Sequence, residues 1–272
     1  MSLPIVAALQ MTSAADVAAN LATASRLLAQ ARDGGACLAV LPENFSFMGR
    51  NEAERRAVVE RDGEGPVQEA MARTARELGL WIVAGTQPIA VPGEARPANA
   101  CVVYDDRGRR AARYDKIHLF DVDLPGGREN YRESANAVPG RTPVTVETPA
   151  GRLGLTVCYD MRFPELYRRL VSEGAEIFSV PSAFTGPTGR AHWEVLLRAR
   201  AVEDLCYVVA AAQSGFHDNG RETYGDTLIV DFWGRVLARQ PRGSGVVFAP
   251  IDREAQRATR ASFPALSHRA LA

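Results

Sequence analysis

Cysteine and histidine are scarce in this chain of 272 residues, four of each, and neither type clusters. Cys37, Cys101, Cys158 and Cys206 form no Cys-x-x-Cys pair, so neither a zinc site nor a disulfide framework is indicated. His118, His192, His217 and His268 show no His-x-x-x-His or His-Glu-x-x-His spacing, and no metal is expected. No Gly-x-Gly-x-x-Gly follows the first apolar run, which argues against an open doubly wound sheet, and no Gly-x-Ser-x-Gly marks a serine hydrolase. Excess charge is missing as well: Lys plus Arg and Asp plus Glu both number 32, so nothing draws the chain to nucleic acid or to an anionic membrane. No apolar stretch approaches membrane-spanning length, and the first ten residues carry no basic leader, so a cytoplasmic protein is expected.

What is present is an alternation of short apolar runs with helical periodicity, the pattern of an α/β fold. The first half reads as a strand from Pro4 to Gln10, a helix from about Ala14 to Ala31, a strand from Cys37 to Leu41, a helix from about Gly65 to Leu78, a strand from Trp81 to Gln87 and a hairpin. The second half repeats the plan, with a strand from Leu153 to Val157 and a helix from Pro164 to Glu173. Gly35-Ala36-Cys37-Leu38-Ala39-Val40-Leu41-Pro42 is echoed by Gly174-Ala175-Glu176-Ile177-Phe178-Ser179-Val180-Pro181, and the turn Asp105 to Gly108 by Asp231 to Gly234. Two β-α-β-α-β-β units, each with one bare sheet face, bury those faces most simply against each other as a four-layer α-β-β-α sandwich. Between them, Leu119 to Thr142 is longer than an ordinary connection and rich in Gly, Pro, Asp and Arg, which points to a functional segment.

Three residues stand at predicted strand ends, where chemistry gathers in α/β proteins: Glu43 after Leu41-Pro42, Lys116 after the hairpin strand Arg110 to Asp115, and Cys158 after Leu153 to Val157. Cys158 precedes a helix whose first turn carries unpaired N–H groups, a field that favours the thiolate. A thiol nucleophile needs a base, which Glu43 supplies, and positive charge at the oxyanion, which Lys116 and the backbone N–H of Tyr159 supply. Taken one at a time, these residues have plainer readings as a cap carboxylate, a solvated cation and a buried core cysteine. A Cys-His hydrolase with His192 or His217 as base lacks its glycine-flanked elbow, since Thr156 and Asp160 stand where small residues belong.

Three segments, Leu41-Pro42-Glu43-Asn44, Tyr114 to Asp121 and Cys158-Tyr159-Asp160-Met161-Arg162-Phe163-Pro164-Glu165, resemble the signature blocks of the nitrilase superfamily of carbon–nitrogen hydrolases, over nearly the whole chain. The resemblance implies one domain spanning 1–272, with Glu43 as general base, Lys116 as oxyanion-stabilising cation, Cys158 as nucleophile and Glu133 as a second glutamate orienting the lysine or the substrate. Glu133 has an alternative as a surface ion pair with Arg128 or Arg132. It also implies a cofactor-free amidase acting on a small-molecule amide, assembled as a homodimer or an assembly of dimers. The block Ser182 to Ala201 resembles the deaminated glutathione amidase branch, which places Phe184, Thr185 and His192 with Tyr159 at the substrate. Two further branches stay open, ω-amidases acting on 2-oxoglutaramate and N-carbamoyl amino acid amidohydrolases, as does an inactive interaction module of the same fold.

Overall fold

Strands covered on both faces carry unbroken apolar runs, and β1 (Ile5–Gln10) shows the reason: Val6 and Ala8 point into one core, Ala7 and Leu9 into another. The computed structural model describes residues 2–124 and 130–270. After β1 the chain runs through α1 (Val17–Asp33), β2 (Ala36–Val40), α2 (Glu52–Ala57), α3 (Pro66–Leu78), β3 (Trp81–Val83), β4 (Gln87–Ile89) and the hairpin β5 (Ala98–Tyr104) with β6 (Arg110–Asp115). A small ribbon, β7 (Asp121–Asp123) with β8 (Asn130–Arg132), leads to β9 (Thr145–Thr148). The second half holds β10 (Gly151–Leu155), α4 (Pro164–Ser172), β11 (Ile177–Ser179), α5 (Gly186–Asp204), β12 (Tyr207–Ala210), β13 (Ser214–Phe216), β14 (Glu222–Tyr224), β15 (Thr227–Val230), β16 (Val236–Gln240), β17 (Gly245–Pro250) and α6 (Arg253–Ser262).

One sheet has the order β17-β1-β2-β3-β5-β4 with β6 on β5, the other β16-β15-β12-β11-β10-β9. Each contains three parallel strands followed by an antiparallel partner, as the internal echo predicts. The two hairpin turns share their wiring: Asp105 Oδ1 accepts from the Arg107 and Arg109 N–H groups, and Asp231 Oδ1 from those of Trp233 and Arg235. Helices α1 and α3 cover the outside of the first sheet and α4 and α5 that of the second, while β1 meets β12 and β15 across the middle, giving the expected four layers. No described helix is long and apolar enough to cross a membrane.

Helix ends follow local chemistry. Asp16 accepts from the Ala19 N–H at 3.0 Å and starts α1 three residues later than the periodicity suggests, while Pro66 opens α3 and Gly79, at φ 56°, closes it. The strand expected from Trp81 to Gln87 breaks after Val83. Gly85 there has φ 40° and packs so tightly that a Cβ would sit 1.9 Å from the Pro42 carbonyl oxygen, bringing this loop hard against the one that carries Glu43.

Two features depart from the sequence reading. Cys158 heads a 3-10 turn, Cys158–Arg162, and the α-helix begins only at Pro164. The last strand, β17, leaves the second half and pairs antiparallel with β1 at the edge of the first sheet, Ile5 opposite Pro250 through Gln10 opposite Gly245.

Candidate active site

Glu43 follows β2, Lys116 follows β6, Glu133 follows β8 and Cys158 follows β10, and the fold brings all four into one cleft of about 500 Å³. Lys116 is fully buried with its Nζ 3.0 Å from Glu43 Oε1 and 2.8 Å from Glu133 Oε2. Asn99, on β5, ties the same two carboxylates from the other side, its Nδ2 donating to Glu43 Oε1 at 3.1 Å and to Glu133 Oε1 at 3.0 Å. The Phe120 N–H donates to Glu133 Oε2 at 2.7 Å, and the Ala183 N–H, from the second half, donates to Glu43 Oε2 at 2.9 Å. Glu133 is therefore part of the buried array; Arg132 pairs with Asp123 instead.

The charges in this array sustain one another. Burial pulls the Lys116 ammonium toward its neutral form, but Glu133 and then Glu43 outweigh burial and hold it firmly protonated. Burial likewise raises the Glu133 carboxyl, and the charge and hydrogen bond of Lys116 with the Phe120 N–H bring it below its usual value. For Cys158 the balance runs the other way. Burial first, and then the adjacent Glu43 carboxylate, push the thiol well up, and Lys116 offsets only part of this. The resting group is a thiol, not the thiolate that a helix terminus would favour, because the turn after Cys158 is not α-helical and burial with the Glu43 carboxylate outweighs Lys116. Ionisation must then accompany proton transfer to a base, and Glu43 is the carboxylate in place.

Asp160 fixes the nucleophile turn relative to the lysine. Fully buried, its carboxylate accepts from the Val157 N–H at 2.8 Å, the Tyr114 hydroxyl at 2.7 Å and the His118 N–H at 3.1 Å, with His118 Nδ1 2.7 Å away. One side chain thus joins residues 114–118 to residues 157–160. Cys158 itself sits at φ 50°, a left-handed conformation rare outside glycine, held by donation of its N–H to the Pro181 carbonyl at 2.9 Å. The next N–H, that of Tyr159, has no acceptor among the described residues.

Tyr159, Phe184 and Thr185 line the cleft. His192 does not: it is exposed on α5, its Nδ1 3.2 Å from Arg162 Nη2, because the helical turn that buries Trp193 turns the preceding residue outward. Arg190 is exposed as well, and Arg128, within the long segment Leu119 to Thr142 between the halves, lies outside the described residues. Sequence reasoning missed Asn99, Arg55 and Arg221. Asn99 carried a signal, a polar residue inside the fully buried run ANACVVY of β5. Lys116 carried a stronger one, being the single lysine of the chain among 31 arginines. A sequence that uses arginine at every other basic position keeps an ammonium where a guanidinium would not serve.

The sequence pattern of the family described as carbon–nitrogen hydrolase matches residues 5–261. The deaminated glutathione amidase of Bos taurus is 44% identical over 279 residues, covering 98% of this chain and 82% of the relative, and that of Yersinia enterocolitica is 41% identical over 264 residues, covering 97% and 92%. The crystal structure of the C. elegans NitFhit protein superposes with a TM-score of 0.91 at 39% identity, over 99% of this chain and 66% of that one.

Proposed function

The chain belongs to the carbon–nitrogen hydrolase family, and from that membership we propose an amidase that cleaves deaminated glutathione to 2-oxoglutarate and cysteinylglycine. The observation that supports it most is the buried array Glu43–Lys116–Glu133 placed against Cys158 in a cleft whose lining holds more cationic than anionic side chains, as a substrate with two carboxylates requires.

Glu43 takes the proton of the Cys158 thiol as Sγ attacks the amide carbon. Negative charge develops on the amide oxygen between the Lys116 ammonium and the Tyr159 N–H, which are pre-positioned and need no reorganisation. The carbon–nitrogen bond breaks, Glu43 gives its proton to the departing amine, and a thioester remains on Cys158. Water then loses a proton to Glu43 while attacking the thioester, and the second tetrahedral intermediate releases the carboxylate and returns the proton to the thiol. Glu133 and Asn99 keep Lys116 and Glu43 in register throughout.

The protein acts in this reading as a homodimer in the cytoplasm, a reducing setting with which four unpaired cysteines agree. Trp233 and Phe263, each about half exposed with rings 5.8 Å apart, and Val202 offer an apolar face on the second half for a second copy. Assays of the purified enzyme with deaminated glutathione, 2-oxoglutaramate and an N-carbamoyl amino acid test the substrate. We expect kcat/KM to favour deaminated glutathione over 2-oxoglutaramate by about tenfold or more, roughly 1.4 kcal/mol of transition-state binding. Equal or better efficiency with 2-oxoglutaramate refutes the substrate and points to an ω-amidase, and turnover of N-carbamoyl amino acids alone moves the protein to that branch.

A further inference from the structure

The catalytic residues alone make a poor receptor for an anionic substrate, since Glu43 and Glu133 outnumber Lys116. Arginines line the rest of the cleft, but most are already engaged. Arg50 pairs with Glu54, Arg132 pairs with Asp123, and Arg221 donates through Nη2 to the Ala183 carbonyl while its guanidinium lies 5.0 Å from the centre of the Tyr131 ring. Arg55 differs. Its Nε and Nη2 are buried and have no hydrogen-bond partner among the described residues; Arg221 Nε is in the same position, but of the described cleft arginines Arg55 alone makes no side-chain hydrogen bond or ion pair with any described residue. Glu133, the carboxylate on which its charge acts, has both oxygens occupied by Asn99, Lys116 and the Phe120 N–H.

Nε and Nη2 form one edge of the guanidinium plane, the edge that grips both oxygens of a carboxylate side-on. Burying that edge empty is costly, and the structure supporting it has no packing role to explain it. Arg55 stands on α2, a helix of six residues that buries none of them and is held by the Asn51 side chain accepting from the Glu54 N–H at 3.0 Å. Direction follows from the catalytic groups. The leaving amine takes its proton from Glu43, whose Oε2 accepts from the Ala183 N–H beside Arg221, so we assign the amine to that side and the acyl chain to the side of Glu133, on which Arg55 acts. We propose that Arg55 binds the carboxylate at the far end of the acyl chain, side-on through Nε and Nη2, and so selects amides of dicarboxylic acids.

The proposal rests on the amidase reading above, and its test is arranged to fail separately. Iodoacetamide, which is neutral, alkylates Cys158, and intact-mass spectra give the rate. Glutarate and 2-oxoglutarate, the acyl part without an amine, protect the wild-type thiol. In Arg55→Ala the unprotected alkylation rate stays within twofold of wild type, while the concentration of glutarate or 2-oxoglutarate needed for half protection rises about 30-fold or more. Arg55→Lys, which keeps the charge but loses the two-pronged edge, recovers only part of the protection. In turnover, Arg55→Ala lowers kcat/KM equally for deaminated glutathione and 2-oxoglutaramate, because they share the acyl end. Unchanged protection in Arg55→Ala overturns the proposal, as does a loss confined to deaminated glutathione, which would assign Arg55 to the dipeptide tail. If the wild type does not hydrolyse deaminated glutathione yet protection by glutarate still depends on Arg55, the substrate is wrong and the carboxylate site stands.

Discussion

Replacing Lys116 with methionine removes the ammonium that lies between two buried carboxylates, and the stability consequence can be worked from the geometry. Glu43 Oε1 and Glu133 Oε2 lie 3.0 and 2.8 Å from Nζ, so they are at most ~6 Å apart, and at an effective dielectric of about 20 their mutual repulsion is about 3 kcal/mol. Asn99 donates to both but offsets neither charge fully. Breaking a buried ion pair by removing one partner costs about 3–5 kcal/mol, and Lys116→Met is expected to lose about 3 kcal/mol or more in urea unfolding near neutral pH. Adding Glu133→Gln removes one of the two like charges and returns about 2 kcal/mol or more, without restoring turnover. The pH dependence follows from the same charges. With the lysine gone, a folded-state carboxyl pKa rises above its unfolded value of about 4.3, so the folded state binds protons more tightly than the unfolded one. The stability deficit of Lys116→Met therefore shrinks as pH falls through the raised pKa and grows as pH rises through it, and the double variant shows a flatter profile. A single variant within about 1 kcal/mol of wild type, or a double variant no more stable than the single, refutes the reasoning.

Lys116→Arg keeps the charge but brings a planar group into a site fitted to a compact ammonium, and kcat/KM should fall by well over about tenfold; activity within that margin would show that charge alone matters. Glu43→Gln should abolish turnover yet let the Cys158 thiolate form at lower pH, because burial still raises the thiol but the carboxylate that adds to it is gone while Lys116 remains; an unmoved or upward-shifted thiolate absorbance titration counts against this. Burial lifts the Asp204 carboxyl from 3.8 to about 6 despite Arg168 and Arg200. A raised acid favours folding most below its unfolded pKa and loses that contribution as pH rises through the folded one, so Asp204→Asn should be more stable than wild type above pH ~6 by up to roughly 3 kcal/mol, with the gain vanishing below pH ~4. Thermal unfolding across that range that shows no such crossover refutes the assignment.

The duplicated strand and helix pattern made the sandwich legible because the central strands are covered on both sides and so carry largely apolar runs. The candidate site residues were picked out by position and pattern: Glu43 and Cys158 follow apolar runs, Lys116 follows the mixed strand Arg110 to Asp115, and the segments around all three resemble known blocks. What was not legible depends on contacts that span the chain. Nothing near Asn99 in sequence shows that its amide joins Glu43 to Glu133. Helix α2 has no apolar stripe to give it periodicity, so Arg55 stayed hidden with it. The protonation of Cys158 was misread because a local signal, the position before a helix, was weaker than burial beside a carboxylate from the other half of the molecule.

The return of β17 to the first sheet has a consequence for synthesis. As the chain leaves the ribosome, β1 emerges more than 200 residues before residues 245–250, and its outer edge has no partner until they appear. Until then that edge exposes unpaired N–H and C=O groups on an apolar strand, an arrangement prone to pairing with another chain. Closure of the first sheet is thus deferred until the second half has been made. A chain stopped before Gly245 would keep Glu43, Lys116, Glu133 and Cys158 and still present an open β-edge, so its hazard would lie in strand pairing with other chains rather than in the loss of a site residue.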